Sequence, residues 1–460
     1  MAVVASGVFM ATLDASIVNV SLPTLANELN ASFDSVQWVS LAYLLIITGL
    51  LLPAGRLAQM HGAKPVFLTG FMIFTLGSLL AGLATSVWIL VAFRVIQGIG
   101  GAITQALGPG MVVSTFPKNE RGKAIGMILA AVSLGLVSGP LVGGLFLSTL
   151  GWPFIFLINV PFGLAAIGLG FWVLPPSLHT SPGKFDWLGT TMLLAGIFVI
   201  LLGFNRIQIL GLGSPVVITL IVAGFALLFC FAWWQTRTAS PMVHPSIFRN
   251  PDFTVAAFSG YLTFAGTSAH VLLLPFYLQR VLQLPIGQVG LMMVTVPAIM
   301  GVLGTPAGML ADRTSHRAIS SVGILISAIG LALLATVTFN TPPVALVMRL
   351  VVLGIGFAMF NSGNASMLMG AAAPTHQNQA SAVLALARNM ATSTGQALWG
   401  TLWASVLVLQ LGERAPDAAG GREMVDAFRI VFASASLLLI AGLLVSLLAP
   451  LLSRQRLDPL

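Results

Sequence analysis

The chain has 460 residues, of which 57% are hydrophobic and only 7% charged, with a net charge of +8. A soluble domain carries about 25% charged residues, so most of this surface is built to face lipid. The basic residues are scattered over short loops, which excludes a nucleic-acid-binding patch, and a single cysteine, Cys230, excludes an intrachain disulfide.

A membrane span needs about 20 mostly apolar residues. Fourteen stretches qualify: 2–22, 37–57, 65–86, 88–114, 122–148, 153–174, 186–205, 214–234, 253–278, 286–311, 318–339, 343–370, 379–410 and 427–450. Each is expected to be a helix, because an open strand leaves its backbone groups unsatisfied in lipid. The fold class expected is therefore an all-α integral membrane protein with 14 transmembrane helices. The first span runs on past Asp14 without a basic segment before it, so no cleavable signal peptide is expected. Alternate loops, with Arg56 and Lys64, Lys118 to Lys123, Lys184, Arg237 and Arg249, and Arg313 and Arg317, hold most of the basic residues. That asymmetry predicts both termini in the cytoplasm of a cell (inner or plasma) membrane.

Taken in order, the first span carries Asp14, the one acid well inside a span, and Asn19 one helical turn and a half later. A charge there costs about 2.5–3.5 kcal/mol on insertion scales. Two readings follow, a carboxylate permanently paired with an arginine or a site that binds and releases a proton. The second span offers Trp38 and Tyr43 as aromatic surface. The fourth carries a stripe of Arg94, Gly98, Gly101, Gln105 and Gly108 at helical spacing, with Gln97 beside it. Arg94 is the expected partner of Asp14. In the fifth span, Gly135, Gly139 and Gly143 recur every fourth residue and Pro140 removes a backbone donor, which reads equally as a packing face or a gating hinge. The seventh and eighth spans hold few polar residues and are expected outside any hydrated path. The ninth places Thr263, Thr267 and His270 on one face; histidine is either a packed residue or a second proton site. The twelfth offers Asn361 and Asn364, and the thirteenth Arg388, Asn389, Ser393 and Gln396.

Two stretches repeat, Gly55-Arg-Leu-Ala-Gln-Met-His-Gly62 and Gly308-Met-Leu-Ala-Asp-Arg-Thr-Ser315, and Arg94 matches Arg349 at nearly the same offset. The repeat predicts two pseudo-symmetric six-helix halves plus two inserted central helices. The divisions are 1–175 for the first half, 176–250 for the inserted pair with its loops, and 251–460 for the second half. Transporters with such parallel halves bind substrate near the bilayer midplane, between the halves. Applying the offset to Asp14 arrives next to His270.

These features resemble the major facilitator superfamily, in particular its fourteen-helix drug/proton antiporter branch of multidrug exporters. The resemblance rests on Leu13 to Pro23, on the repeated loop motif at Gly55 to Lys64 and Gly308 to Arg317, and on Arg94 to Ala102. It rests also on Gly135 to Gly144, Gly151-Trp152 and Asn159-Val-Pro161. It departs at Gln59, where the family's loop motif has an aspartate; only Asp312-Arg313 keeps the charged form.

The resemblance implies proton-coupled export of amphipathic small molecules such as drugs, dyes and biocides. The alternative is a facilitator-type exporter or flippase of a lipid, glycan or secreted metabolite. Proton coupling is expected at Asp14, Arg94 and His270. A substrate cavity is expected from Asn19, Trp38, Tyr43, Gln97, Gln105, Thr267, Asn361, Asn364, Arg388 and Asn389. Conformational gating is expected at Gly55, Gln59, Gly62, Gly139, Pro140, Gly308, Asp312 and Arg313.

The longest exterior loop, 411–426, is too small for an enzyme domain, and the six histidines are dispersed, without metal-ligand spacing. With no P-loop either, the protein is expected not to be an enzyme and to use a proton gradient rather than a cofactor or ATP. Its expected partners are its substrates and the lipid bilayer, with a periplasmic adaptor protein as a further candidate and no nucleic acid.

Overall fold

The computed structural model describes residues 2–115, 121–174, 185–211, 213–238, 241–242, 245–371, 377–411 and 421–454. All regular structure in them is helical. The α-helices are α1 (Ala2–Glu28), α2 (Phe33–His61), α3 (Ala63–Gly82), α4 (Val87–Thr115), α5 (Arg121–Thr149), α6 (Phe154–Leu157), α7 (Asn159–Val173), α8 (Trp187–Leu210) and α9 (Pro215–Gln235). They continue with α10 (Pro251–Phe276), α11 (Ile286–Met293), α12 (Thr295–Arg313), α13 (His316–Leu334), α14 (Pro343–Ala371), α15 (Gln377–Leu411) and α16 (Gly421–Arg454).

Local chemistry sets several of the ends. Asp186, Asn250 and Ser315 each cap a helix by accepting a backbone N–H in the first turn. Pro215 and Pro251 stand at first helical positions, where the missing N–H costs nothing. Gly62, with φ at 93°, turns the chain sharply from α2 into α3. Two expected spans are interrupted four residues before a proline. Pro161 offers no N–H to Leu157, where α6 ends, and Pro297 none to Met293, where α11 ends.

Twelve stretches among the described residues are long and apolar enough to cross a membrane, and Leu134–Thr149 is a shorter apolar helix. The expected thirteenth span, α15, is outside that set. Its Arg388, Asn389, Thr392, Ser393, Thr394 and Gln396 dilute the apolar character that a lipid-facing helix has.

The chain forms two compact units. One is Met1–Met242 with Leu284–Val294, and the other is Val243–Gln283 with Thr295–Leu460. The interrupted span at 286–311 is thus shared, α11 belonging to the first unit and α12 to the second. In the first unit α11 lies on α5, with Gly290 against the carbonyl of Pro140 and close to Gly144.

Each unit contains the same close helix crossing. A side chain on Gly100 of α4 would come within 2.5 Å of the Gly70 carbonyl on α3. One on Gly356 of α14 would come within 2.8 Å of the Gly323 carbonyl on α13. The crossing residues are related by an offset like that of the loop motif, so the sequence repeat is also a packing repeat.

The helices expected as an inserted pair, α8 and α9, lie in the first unit. Leu194 of α8 occupies the space left by Gly49 on α2, and Trp38 packs 6.0 Å from Phe198, ring centre to ring centre. α9 packs on α8 and exposes Val216, Val222, Phe225, Phe229 and Trp233. The Asp186 carboxylate closes the pair into a hairpin by accepting from Trp234 Nε1 (3.0 Å) and Gln235 Nε2 (2.9 Å) at the end of α9.

Because the Gly100 crossing has no room for a side chain, Gly100→Val should cost at least the about 1–3 kcal/mol typical of overpacking. Gly168→Val on α7, where nothing lies within 4 Å, should be neutral. Thermal unfolding in detergent checks the pair; equal midpoints for both variants would contradict this packing.

Candidate functional site

The first unit holds a polar cluster sealed in an apolar core. Asp14 of α1 and Arg94 of α4 are both fully buried and form a salt bridge through Asp14 Oδ2 and Arg94 Nη1. Arg94 Nη1 also donates to Gln97 Oε1 (2.5 Å), one helical turn on, and Nε donates to the Val39 carbonyl of α2 (3.0 Å). Gln97 Nε2 donates to Asp14 Oδ1 (2.7 Å) and to Ser78 Oγ of α3 (2.6 Å). Asn159 at the start of α7 donates Nδ2 to the same Asp14 oxygen (3.2 Å). The guanidinium lies 3.9 Å above the ring of Tyr43, whose hydroxyl donates to the Ala11 carbonyl, and 5.7 Å from the ring of Phe156.

Small residues bring these side chains together. A side chain on Gly77 would come within 2.6 Å of the Gln97 backbone, so only glycine lets α3 approach α4 closely enough for Ser78 to reach Gln97. On α4, Gly98 and Gly101 make room for Ile46, Ile47 and Tyr43 of α2. The stripe on α4 therefore seats a neighbouring helix around Arg94. On α5, Gly135 and Gly139 admit Thr12, Leu13 and Ser16 of α1, on either side of Asp14. Ser16 Oγ donates to the Leu136 carbonyl (3.1 Å) and pins this contact. The glycines of the fifth span thus form a packing face for the helix that carries the acid.

A buried ion pair gains stability only when every remaining lone pair and proton finds a partner. Here the carboxylate accepts three hydrogen bonds, and the cation has a carboxylate, an amide, a backbone carbonyl and an aromatic face. The cluster is neutral as a whole. Protonating Asp14 would leave Arg94 as an uncompensated charge, so proton binding must be accompanied by rearrangement around the arginine or by water. Such a site can couple a proton to a change of conformation.

Of the expected site residues, Asp14, Arg94, Gln97 and Tyr43 come together. Asn19 turns to α2, accepting from Ser40 Oγ (3.0 Å), and Trp38 faces α8; Gln105, three turns along α4, is half-buried. In the second unit, Thr267 Oγ1 and His270 Nδ1 donate to carbonyls of their own helix, Thr263 and Thr267 respectively. Asn364 is buried with neither amide atom hydrogen-bonded, and Asn389 is buried with Nδ2 unbonded. Asn361 and Arg388 are half-buried.

At the loop motifs, Gly55 and Gly308 have open space where a side chain would go, and the Gln59 side chain lies outside the described residues. Asp312 and Arg313 are exposed at the end of α12, with Asp312 Oδ1 3.9 Å from His316 Nδ1. The close ion pair at this end of the unit is Arg317 with Asp252 (2.5 Å), joining α13 to α10. Ser78 and Asn159 were not among the expected site residues. Asn159-Val-Pro161 stood out in the sequence, but nothing marked Ser78. Among the described residues, no group of three or more His, Cys, Asp or Glu gathers as a metal site.

The fold and the sealed ion pair define a multi-pass membrane transporter. The chain belongs to the Major Facilitator Superfamily, whose family profile matches residues 4–187 and 256–459. Members of this family are transporters, not enzymes. The chain is 32% identical over 406 residues, 88% of each protein, to the riboflavin transporter RibZ of Clostridioides difficile. It is 29% identical over 416 residues, 90% of this chain and 76% of the relative, to the tetracenomycin C resistance and export protein of Streptomyces glaucescens. A bacterial homologue of the human lysosomal transporter Spinster, solved inward-facing and unoccupied, shares the fold. Its TM-score is 0.71 at 16% identity, over 97% of this chain and 95% of that one.

If charge pairing holds the cluster, Arg94→Met should lower the unfolding free energy by about 3–5 kcal/mol at mildly alkaline pH, because it strands a buried carboxylate. Adding Asp14→Asn should recover most of that loss. Thermal unfolding in detergent measures it, and a double variant as unstable as the single one would contradict the assignment.

Proposed function

We propose that this protein is a proton-coupled antiporter that exports amphipathic small molecules by alternating access. The observation that carries this reading is the Asp14–Arg94 pair, a carboxylate within an apolar span whose charge is compensated by one cation and by two further hydrogen bonds, from Gln97 and Asn159. Ionised, Asp14 needs Arg94, water or a cationic substrate. Protonated, it tolerates a dry surrounding. If proton and substrate each favour a different access state, exchange follows from their differential binding.

The drug-resistance relative supports the substrate class, and the buried amides Asn364 and Asn389 and half-buried Arg388 suit a ligand held by several weak polar contacts. In this reading the chain crosses the plasma membrane fourteen times with both termini in the cytoplasm, and residues 176–250 are an insertion between two related halves. His270 serves as a secondary proton site. The proton gradient is the only energy source, and a periplasmic adaptor protein is a candidate partner. A second reading keeps the alternative of a secreted metabolite as substrate; the relative named a riboflavin transporter supports a metabolite substrate.

Proteoliposomes with an imposed pH gradient test both readings with ethidium, riboflavin and an anionic dye. The antiporter reading predicts uphill movement of ethidium, the metabolite reading uphill movement of riboflavin alone. In either case Asp14→Asn should abolish accumulation, and Asp14→Glu should keep part of it with an altered pH dependence. Undiminished accumulation by Asp14→Asn would place the proton site elsewhere.

A further inference from the structure

The two carboxamides beside Asp14 are not equivalent. Gln97 is committed at both ends, Nε2 to Asp14 and Ser78 and Oε1 to Arg94. Asn159, only 1% exposed, donates Nδ2 to Asp14 Oδ1, while its own Oδ1 is buried with no hydrogen-bond partner. A buried acceptor left unsatisfied is destabilising, and natural cores rarely keep one without use. The titratable groups that face Asp14 are Arg94 from α4 and Tyr43 from α2. α5 meets this stretch of α1 with Gly135 and Gly139, α3 contributes Ser78 through Gln97, and α11 carries no titratable side chain.

We propose that Asn159 is the positioning residue that gives a proton on Asp14 Oδ1 its hydrogen-bond acceptor; this rests on the proton-coupling reading above. When Asp14 takes a proton from hydronium on Oδ1, the new O–H needs an acceptor. Gln97 Oε1 is held by Arg94, and Ser78 Oγ is held by Gln97. Asn159 Oδ1 is uncommitted, and half a turn of its carboxamide puts it where Nδ2 stood, 3.2 Å from Asp14 Oδ1. The same side chain thus donates to the carboxylate and accepts from the acid. An O–H bond of hydronium breaks as the Asp14 O–H bond forms, leaving water, and the reverse transfer returns the proton. Asparagine suits this role because its two ends are similar in size and opposite in hydrogen-bonding sense. It stands one residue after the interruption at Ile158, close to Leu157, whose carbonyl lacks the helical bond that Pro161 cannot give.

Infrared difference spectra of the purified full-length protein, recorded between high and low pH, test this without a transported substrate. In the wild type, an acid C=O band of Asp14 should appear together with a shift in a side-chain amide band, and Asp14→Asn should lose both. Asn159→Leu should lose the amide shift and move the acid band to higher frequency, as expected for an O–H without an acceptor. Asn159→Ser, whose hydroxyl both donates and accepts, should return the acid band towards its wild-type position. An acid band unchanged in Asn159→Leu, or displaced equally in the Leu and Ser variants, would overturn the role of Asn159 while leaving Asp14 as the proton site. An acid band that persists in Asp14→Asn would overturn the proton-coupling reading itself.

Discussion

The rest of the first unit depends on one ion pair placed where water does not reach. Moving a carboxylate and a guanidinium out of water costs several kcal/mol per ion, and their attraction offsets this only with near-complete hydrogen bonding. The packing around Asp14 and Arg94 meets that condition. Glycines on α3, α4 and α5 draw five helices close enough for Ser78, Gln97, Asn159, Val39 and Tyr43 to converge on two side chains. Any conformational change that separates α1 from α4 must first find other partners for these charges. A proton on Asp14 removes one side of the attraction, so the same pair can hold one state and release it.

The second unit repeats the packing but not the chemistry. Arg349 stands where the repeat places the counterpart of Arg94, half-buried and with Nη1 unbonded. No acid stands at the counterpart of Asp14, where the chain has Thr267, Ser268 and Ala269, next to His270. His270 Nδ1 is turned to its own helix. The two units therefore share a way of crossing helices, through Gly70 and Gly100 in one and Gly323 and Gly356 in the other, while among the described residues the sealed ion pair belongs to the first.

Much of this was legible in the sequence because membrane solvation leaves few choices. Long apolar runs must be helices and a lone acid among them needs a cation, while the choice of Arg94, rather than Arg349 or Arg388, rested on the family resemblance. Gln97 followed from its place beside Arg94. What could not be read depends on which faces meet. Ser78 enters the cluster because Gly77 admits α4, and Trp38 packs on Phe198 of α8. The interruptions at Ile158 and Val294 follow from Pro161 and Pro297, but which unit takes α11 is settled by its packing on α5, which hydropathy does not encode.

The account stands or falls on whether substrate and proton compete through Asp14. The most direct measurement is the pH change of a lightly buffered detergent solution of purified protein on addition of a compound that the wild type transports. The account predicts proton release by the wild type in proportion to the protein present, and none by Asp14→Asn even though it still binds the compound. Equal release from both proteins would contradict it.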